Sequence, residues 1–296
     1  MNCRICSGKA VKTLHSAPIR SGRFGNLTDR PIKVLKCQGC GAAFLGETPV
    51  DLKRFYESAA YRESVDGGTD ASKFFDAHDA EQIRHLSVAG TGGFRGKTVA
   101  DIGCGGGSFV DWISGAAATV VAIEPMNEFR ESLKKRGYAT YPYASEAARD
   151  YGGKVDHAYS FSVVEHIENP KEFMEEIRNL LRPGGELLLS TPNSDDVLMQ
   201  TLPQDYPAFF YRLAHLWYFD AASLTELARI AGFEKIEVIP YQRFGMSNFI
   251  HWVRDRRPRG EEALDFVSPT LDAVWKKELE RTFRCDYLFL RARRPA

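Results

Sequence analysis

Strands and helices alternating between about residues 96 and 293 predict an α/β fold, a largely parallel sheet covered by helices on both faces. The prediction rests on short apolar runs that read as buried strands, on amphipathic stretches between them, and on a glycine-rich turn after the first run. Four cysteines in two matched pairs within the first forty residues predict a small N-terminal module as well. The 296 residues leave room for both parts, and 44% hydrophobic with 26% charged side chains is an ordinary globular composition. No apolar run approaches the roughly 18–20 residues that span a bilayer. The opening Met-Asn-Cys-Arg-Ile-Cys lacks the apolar stretch of an export signal, so a cytoplasmic protein is expected.

The cysteines fall as Cys3-x2-Cys6 and Cys37-x2-Cys40, thirty residues apart. A C-x2-C turn brings two sulfurs onto one small ion, and two such turns complete a closed, tetrahedral structural zinc site. A redox pair would instead be a single C-x-x-C beside a βαβ unit, and disulfides are disfavoured in the cytoplasm. Cys104 and Cys285 have no partner at ligand spacing and read as small buried residues. The chain holds 39 basic and 39 acidic residues, yet residues 1–50 hold eight Lys/Arg against two Asp/Glu. That excess suits an anionic partner or simply a solvated surface, and four thiolates on a zinc ion would trim it by two charges. The expected boundaries are residues 1–50 for the zinc module, 51–95 for a linking helical segment and 96–296 for the α/β domain. Insertions are expected near 192–215 and 241–283.

Thr98-Val99-Ala100-Asp101-Ile102 reads as the first buried strand. Gly103-Cys104-Gly105-Gly106-Gly107-Ser108 follows, then a helix start. Such a turn is a ligand cradle: glycine permits close backbone approach, and the helix N-terminus offers free amides. The run 118–123 ends on Glu124, where an acidic side chain can accept both hydroxyls of a ribose. Residues 155–161 read as the fourth strand. Asn169-Pro170 then cap a helix whose Phe173, Met174, Ile177, Leu180 and Leu181 share a face, and Arg182-Pro183-Gly184-Gly185 end it. The fifth strand covers 186–192. Asp220 caps a helix closed by Gly232, and residues 235–239 and 286–291 supply the last two strands.

The turn Asp101-x-Gly103-x-Gly105-x-Gly107 departs from the dinucleotide G-x-G-x-x-G pattern, because Ser108 stands at its last position. It resembles instead the first motif of class I S-adenosylmethionine (SAM) methyltransferases. Val164-Glu165-His166-Ile167, Leu181-Arg182-Pro183-Gly184-Gly185, Thr191-Pro192-Asn193 and Ala231-Gly232-Phe233 are similar to the same family. The resemblance implies a Rossmann-like, seven-stranded sheet with the last strand inserted antiparallel. It also implies SAM as cofactor, held by Asp101, Gly103, Gly105, Gly107, Glu124, Phe161 and Tyr61. The cysteine quartet followed by Leu52, Phe55, Tyr56 and Tyr61 resembles the zinc-module sugar methyltransferases of antibiotic and surface-polysaccharide pathways. A sugar or nucleotide-sugar acceptor is the corresponding expectation.

Methyl transfer to a hydroxyl needs alignment and a base. His166, just past the fourth strand, is the first candidate base, with a capping or packing histidine as its alternative; Glu165 either orients it or is simply structural. His215, in the aromatic run Ala214-His215-Leu216-Trp217-Tyr218-Phe219, is the second candidate. Tyr206, Phe209, Phe210 and Tyr211 suit either a lid or simple packing. The basic run Arg254-Asp255-Arg256-Arg257-Pro258-Arg259 suits a phosphate of a nucleotide-sugar or a solvated face. Two alternatives stay open, a zinc-module RNA methyltransferase and a non-catalytic SAM-fold binding protein. Zero net charge argues against nucleic acid, and an intact cofactor cradle argues against a bare scaffold.

Overall fold

The centre of the α/β sheet follows from short, almost wholly buried apolar runs that leave no polar face to turn to water. In the computed structural model, which describes residues 2–47, 71–90 and 93–296, eleven strands are assigned. They are β1 (Val11–Ala17), β2 (Ile32–Cys37), β3 (Ala43–Leu45), β4 (Thr98–Ile102), β5 (Thr119–Ile123), β6 (Ala139–Tyr141), β7 (Val155–Phe161), β8 (Leu181–Pro192), β9 (Trp217–Tyr218), β10 (Glu234–Tyr241) and β11 (Tyr287–Arg293). Seven of them form one sheet in the order β10-β11-β8-β7-β4-β5-β6. The pairs β4–β5, β4–β7 and β5–β6 are parallel. β11 runs against β8. Gly184 and Gly185, early in β8, exchange backbone hydrogen bonds with Arg294 just past the end of β11, and Asn193, just past β8, donates to Asp286 just before β11. The expected Rossmann-like fold with an inserted antiparallel strand is therefore present.

The strand order reverses beside β4: the chain builds β5 and β6 on one side, then crosses to β7 and β8 on the other. Such a reversal opens a crevice at the carboxyl ends of the strands. Helices Ser108–Ser114, Asn127–Lys135 and Pro170–Leu180 bury Val110 and Ile113, Phe129 and Leu133, and Met174, Ile177 and Leu180. Each such side chain contributes roughly 1.5–3 kcal/mol by leaving water.

Two local readings need correction. Asn169 stands at the N-cap position of Pro170–Leu180, but its side chain turns to Glu172 (Nδ2 to Oε2, 3.3 Å) rather than to the helix amides. Residues 182–185 do not merely end that helix. Leu181 is already extended, and β8 begins there.

The chain divides into two compact units, Met1–Glu47 with Ser190–Glu226 and Val238–Leu290, and Thr48–Leu189 with Leu227–Glu237 and Arg291–Ala296. The first contains the antiparallel sheet β1-β2-β3-β9. Its N-terminal segment is tied to later chain by Lys36–Asp220 (3.2 Å). Asp220 also caps the helix Ala221–Ile230 through the Ser223 amide (2.8 Å), as its position predicts. The second unit contains β4, β5, β6 and β7 with their covering helices. No helix among the described residues is long and apolar enough to cross a membrane.

Candidate active site

In the second unit, β4 and β5 deliver Asp101 and Glu124 to the same end of the sheet, both buried at 3% and 5% exposure. The Gly103 and Cys104 amides donate to Ile123 O at 2.8 and 3.2 Å, which folds the turn back over β5. Gly103 has φ +79°, and a Cβ there would stand 2.4 Å from Val163 Cγ2. Only glycine fits that combination. Glu124 Oε2 accepts the Gly105 amide at 2.9 Å and Oε1 accepts the Met126 amide at 2.8 Å. A carboxylate so anchored has a fixed orientation. Gly107 closes the turn on Cys104 O (2.9 Å) and stands at the N-cap of Ser108–Ser114.

Asp101 has a different balance. Burial, and then the neighbouring Glu124, push its carboxyl up to about 8. A buried acidic pair at a strand reversal, beside a glycine turn, is an arrangement for a ligand carrying hydroxyls and a positive charge.

Four pairings around this site leave no mark in the local sequence. Ser108 donates to Asp79, and Arg136 donates to Gly106 O and to Asp111. Phe161 is stacked on His85, with centroids 4.0 Å apart and planes 4° from parallel, so one ring face is occupied. All are long-range pairings without a local spacing to announce them.

Glu165 and His166 belong to the same unit, on a single 3-10 turn (Val164–His166) just beyond β7. Glu165 is buried at 1% exposure, His166 half-buried with its amide on Val163 O (2.9 Å). Tyr61, with Leu52, Phe55 and Tyr56, lies outside the described residues.

His215 belongs to the first unit. It is buried, donates its amide to Arg212 O (3.0 Å) and lines a cavity of about 240 Å³. The cavity wall also holds Arg20, Tyr206, Phe209, Arg212 and Trp252. Tyr206 and Phe209 lie 5.0 and 4.8 Å from the Trp252 ring and Phe210 lies 5.7 Å from Tyr218, so this aromatic group is packed core as well as cavity wall. The basic run is largely neutralised: Arg254 pairs with Asp255 (2.8 Å), Arg256 with Asp205 (2.9 Å) and Arg259 with Glu262 (3.5 Å). Of its two readings, the solvated face fits.

The four N-terminal thiols meet. All four sulfurs lie within 4.8 Å of one another, with Cys3–Cys40 at 3.6 Å and Cys6–Cys37 at 3.5 Å. The two turns match: Ser7 N donates to Cys3 O (2.8 Å) and Gly41 N to Cys37 O (3.0 Å). Tetrahedral zinc with bonds of about 2.3 Å separates its sulfurs by about 3.8 Å, close to these distances. A Cβ on Gly8 or Gly39 would crowd Cys6 Sγ at 3.1 or 3.2 Å, so backbone closes tightly around the cluster. The donor set fits zinc. Cys104 and Cys285 are buried elsewhere, and burial pushes both thiols up.

This strand order, turn and acidic pair define the class I methyltransferase fold. Residues 75–238, more than half of the chain, match the family described as a methyltransferase domain, and the chain belongs to it. It is 29% identical over 139 residues to the ubiquinone biosynthesis O-methyltransferase of Acinetobacter baylyi, covering 42% of this chain and 58% of that protein. The enzyme of the same name from Aromatoleum aromaticum is 27% identical over 212 residues, 64% of this chain and 85% of that one. Among solved structures, a SAM-dependent methyltransferase from Archaeoglobus fulgidus shares the fold with a TM-score of 0.52, 14% identity and 79% and 97% coverage. Phosphoethanolamine N-methyltransferase 2 of Haemonchus contortus, solved with SAM, does so at 0.51, 16%, 83% and 60%.

Proposed function

We propose that this protein transfers the methyl group of S-adenosylmethionine to an oxygen of a small polar acceptor, a sugar or nucleotide-sugar. The observation that carries the transfer reading is the buried Asp101–Glu124 pair around an amide-anchored glycine turn. Bound SAM would supply a sulfonium methyl, an electrophile that needs no further activation. Asp101, Gly103, Gly105, Gly107, Glu124 and Phe161 are the residues to hold it. Glu124 suits ribose hydroxyls because two amides fix its oxygens. Asp101 suits a ligand ammonium, which would compensate a buried carboxylate. Oxygen as the accepting atom draws on the names of the relatives. The sugar draws on the zinc-module resemblance and on the aromatic and polar wall of the cavity around His215.

A hydroxyl must lose its proton as it is methylated. His166 is the proposed base, with buried Glu165 as its orienting neighbour, and His215 is the second candidate. Cys3, Cys6, Cys37 and Cys40 are proposed to hold one structural zinc ion, which would cross-link the two knuckle turns and supply no chemistry to the transfer. Incubation with methyl-labelled SAM and a panel of sugars, nucleotide-sugars and phenols, read by mass spectrometry, tests the reading. A labelled methyl group on a sugar hydroxyl is expected. Labelling confined to the phenols would overturn the sugar acceptor.

A further inference from the structure

Arg20 and Arg212 bring two guanidinium groups to one cavity without carboxylates to meet them. Backbone pairing joins them: Arg20 N donates to Tyr211 O and Leu213 N donates to Arg20 O, each at 3.0 Å, so residues 20 and 212 form a short parallel bridge. Both side chains line the cavity. The Nε of each is buried without an acceptor, and neither residue forms an ion pair among the described residues. Arg20 lies over the Phe209 ring, 4.2 Å from its centroid, which keeps its charged plane at the cavity wall.

The other charges of the wall are already committed. Arg243 is paired with Asp286 at 2.7 Å. Asp196 accepts the Leu198 amide (2.9 Å) and the Tyr206 hydroxyl (2.8 Å), and burial pushes its carboxyl up to about 7. Arg20 feels the imbalance: burial and then Arg212 pull it down to about 10. Two neighbouring half-buried cations, each with its Nε out of solvent and without an acceptor, are costly unless something brings negative charge to both. A carboxylate would leave one of them unmatched. A phosphoryl group carries close to two negative charges near pH 7, and its oxygens match guanidinium forks.

We propose that Arg20 and Arg212 form a subsite for the phosphoryl group of a small ring compound, a phosphate monoester or a diphosphate, whose ring lies against Phe209 and Trp252. The ring's identity rests on the acceptor reading above. The anion subsite rests only on the two guanidinium groups and the cavity that holds them.

Calorimetry on the full chain at low ionic strength tests it, with glucose, glucose 1-phosphate, UDP-glucose and inorganic phosphate as probes. At least one of the two phosphorylated sugars should bind about 10-fold or more tighter than glucose, and inorganic phosphate should compete with it. Preference between them separates monoester from diphosphate. Arg20→Gln and Arg212→Gln should each weaken that binding about 10-fold or more, and Arg212→Lys should restore part of it. Thermal melts of the variants that match the wild type report that they fold. No preference for phosphorylated probes, or variants that bind them as the wild type does, would overturn the subsite and leave methyl transfer standing. Failure of the wild type to bind SAM would remove the transfer reading and leave the subsite standing.

Discussion

Glu124 and Gly105 are joined by a buried hydrogen bond: Oε2 of the carboxylate accepts the glycine amide at 2.9 Å, while Oε1 holds the Met126 amide at 2.8 Å. One side chain thus fixes the glycine turn and the start of the following helical segment. Glu124→Gln keeps the shape but sets an amide NH2 against one of these N–H donors. A buried donor left unsatisfied costs about 1–3 kcal/mol. The variant should lose that much stability even without ligand, as a lower urea midpoint at unchanged slope. A midpoint equal to the wild type would mean that the turn does not depend on these bonds.

Asp101 sets a pH dependence. Its carboxyl titrates near 8 in the fold, because of burial and then Glu124, whereas an aspartate in the unfolded chain titrates near 3.9. Between those values the folded protein holds a proton that the unfolded chain has lost. The associated stability is therefore full below about pH 4 and falls away as pH rises through about 8. Asp101→Asn should flatten this decline between about pH 5 and 8. Parallel stability profiles for wild type and variant, from denaturant melts across that range, would show that Asp101 does not titrate this way.

The cysteine cluster yields a metal prediction. One zinc per chain is expected, and Cys37→Ser should lose it together with the thermal stability of the N-terminal segment. Elemental analysis of the purified variant decides the matter. Stoichiometric zinc in Cys37→Ser would refute the ligand set.

His166→Ala should lower turnover by about 10²-fold or more with SAM affinity nearly intact, since a positioned base contributes about 10²–10⁴-fold. His215→Ala should mainly raise the Michaelis constant for the acceptor. The reverse pattern would give the base role to His215.

Much of this was legible because its signals are local. The C-x2-C spacing, the glycine turn and the acidic residue after the second strand each sit within a few residues of the element that positions them. β4 and β7 were readable at their observed bounds because they are unbroken apolar or half-buried runs. β6 leaves no mark in the sequence: at three half-buried residues it carries no periodicity. The start of β8 was misplaced because Pro183-Gly184-Gly185 read locally as a helix stop, while the bonds to Arg294 that make them strand come from more than a hundred residues away. Charge misled for the same reason. The run at 254–259 is dense in arginine, but Asp205 and its own Asp255 neutralise much of it. Arg20 and Arg212, each isolated in the sequence, are brought together by a backbone bridge.

The most direct test of the central claim is the binding of SAM itself to wild type and to Glu124→Ala by calorimetry. One SAM per chain is predicted, with the variant weaker by about 1.5–3 kcal/mol, the scale of a hydrogen bond to a charged group. No binding by the wild type, or equal affinity in the two proteins, would contradict a SAM cradle built on Glu124.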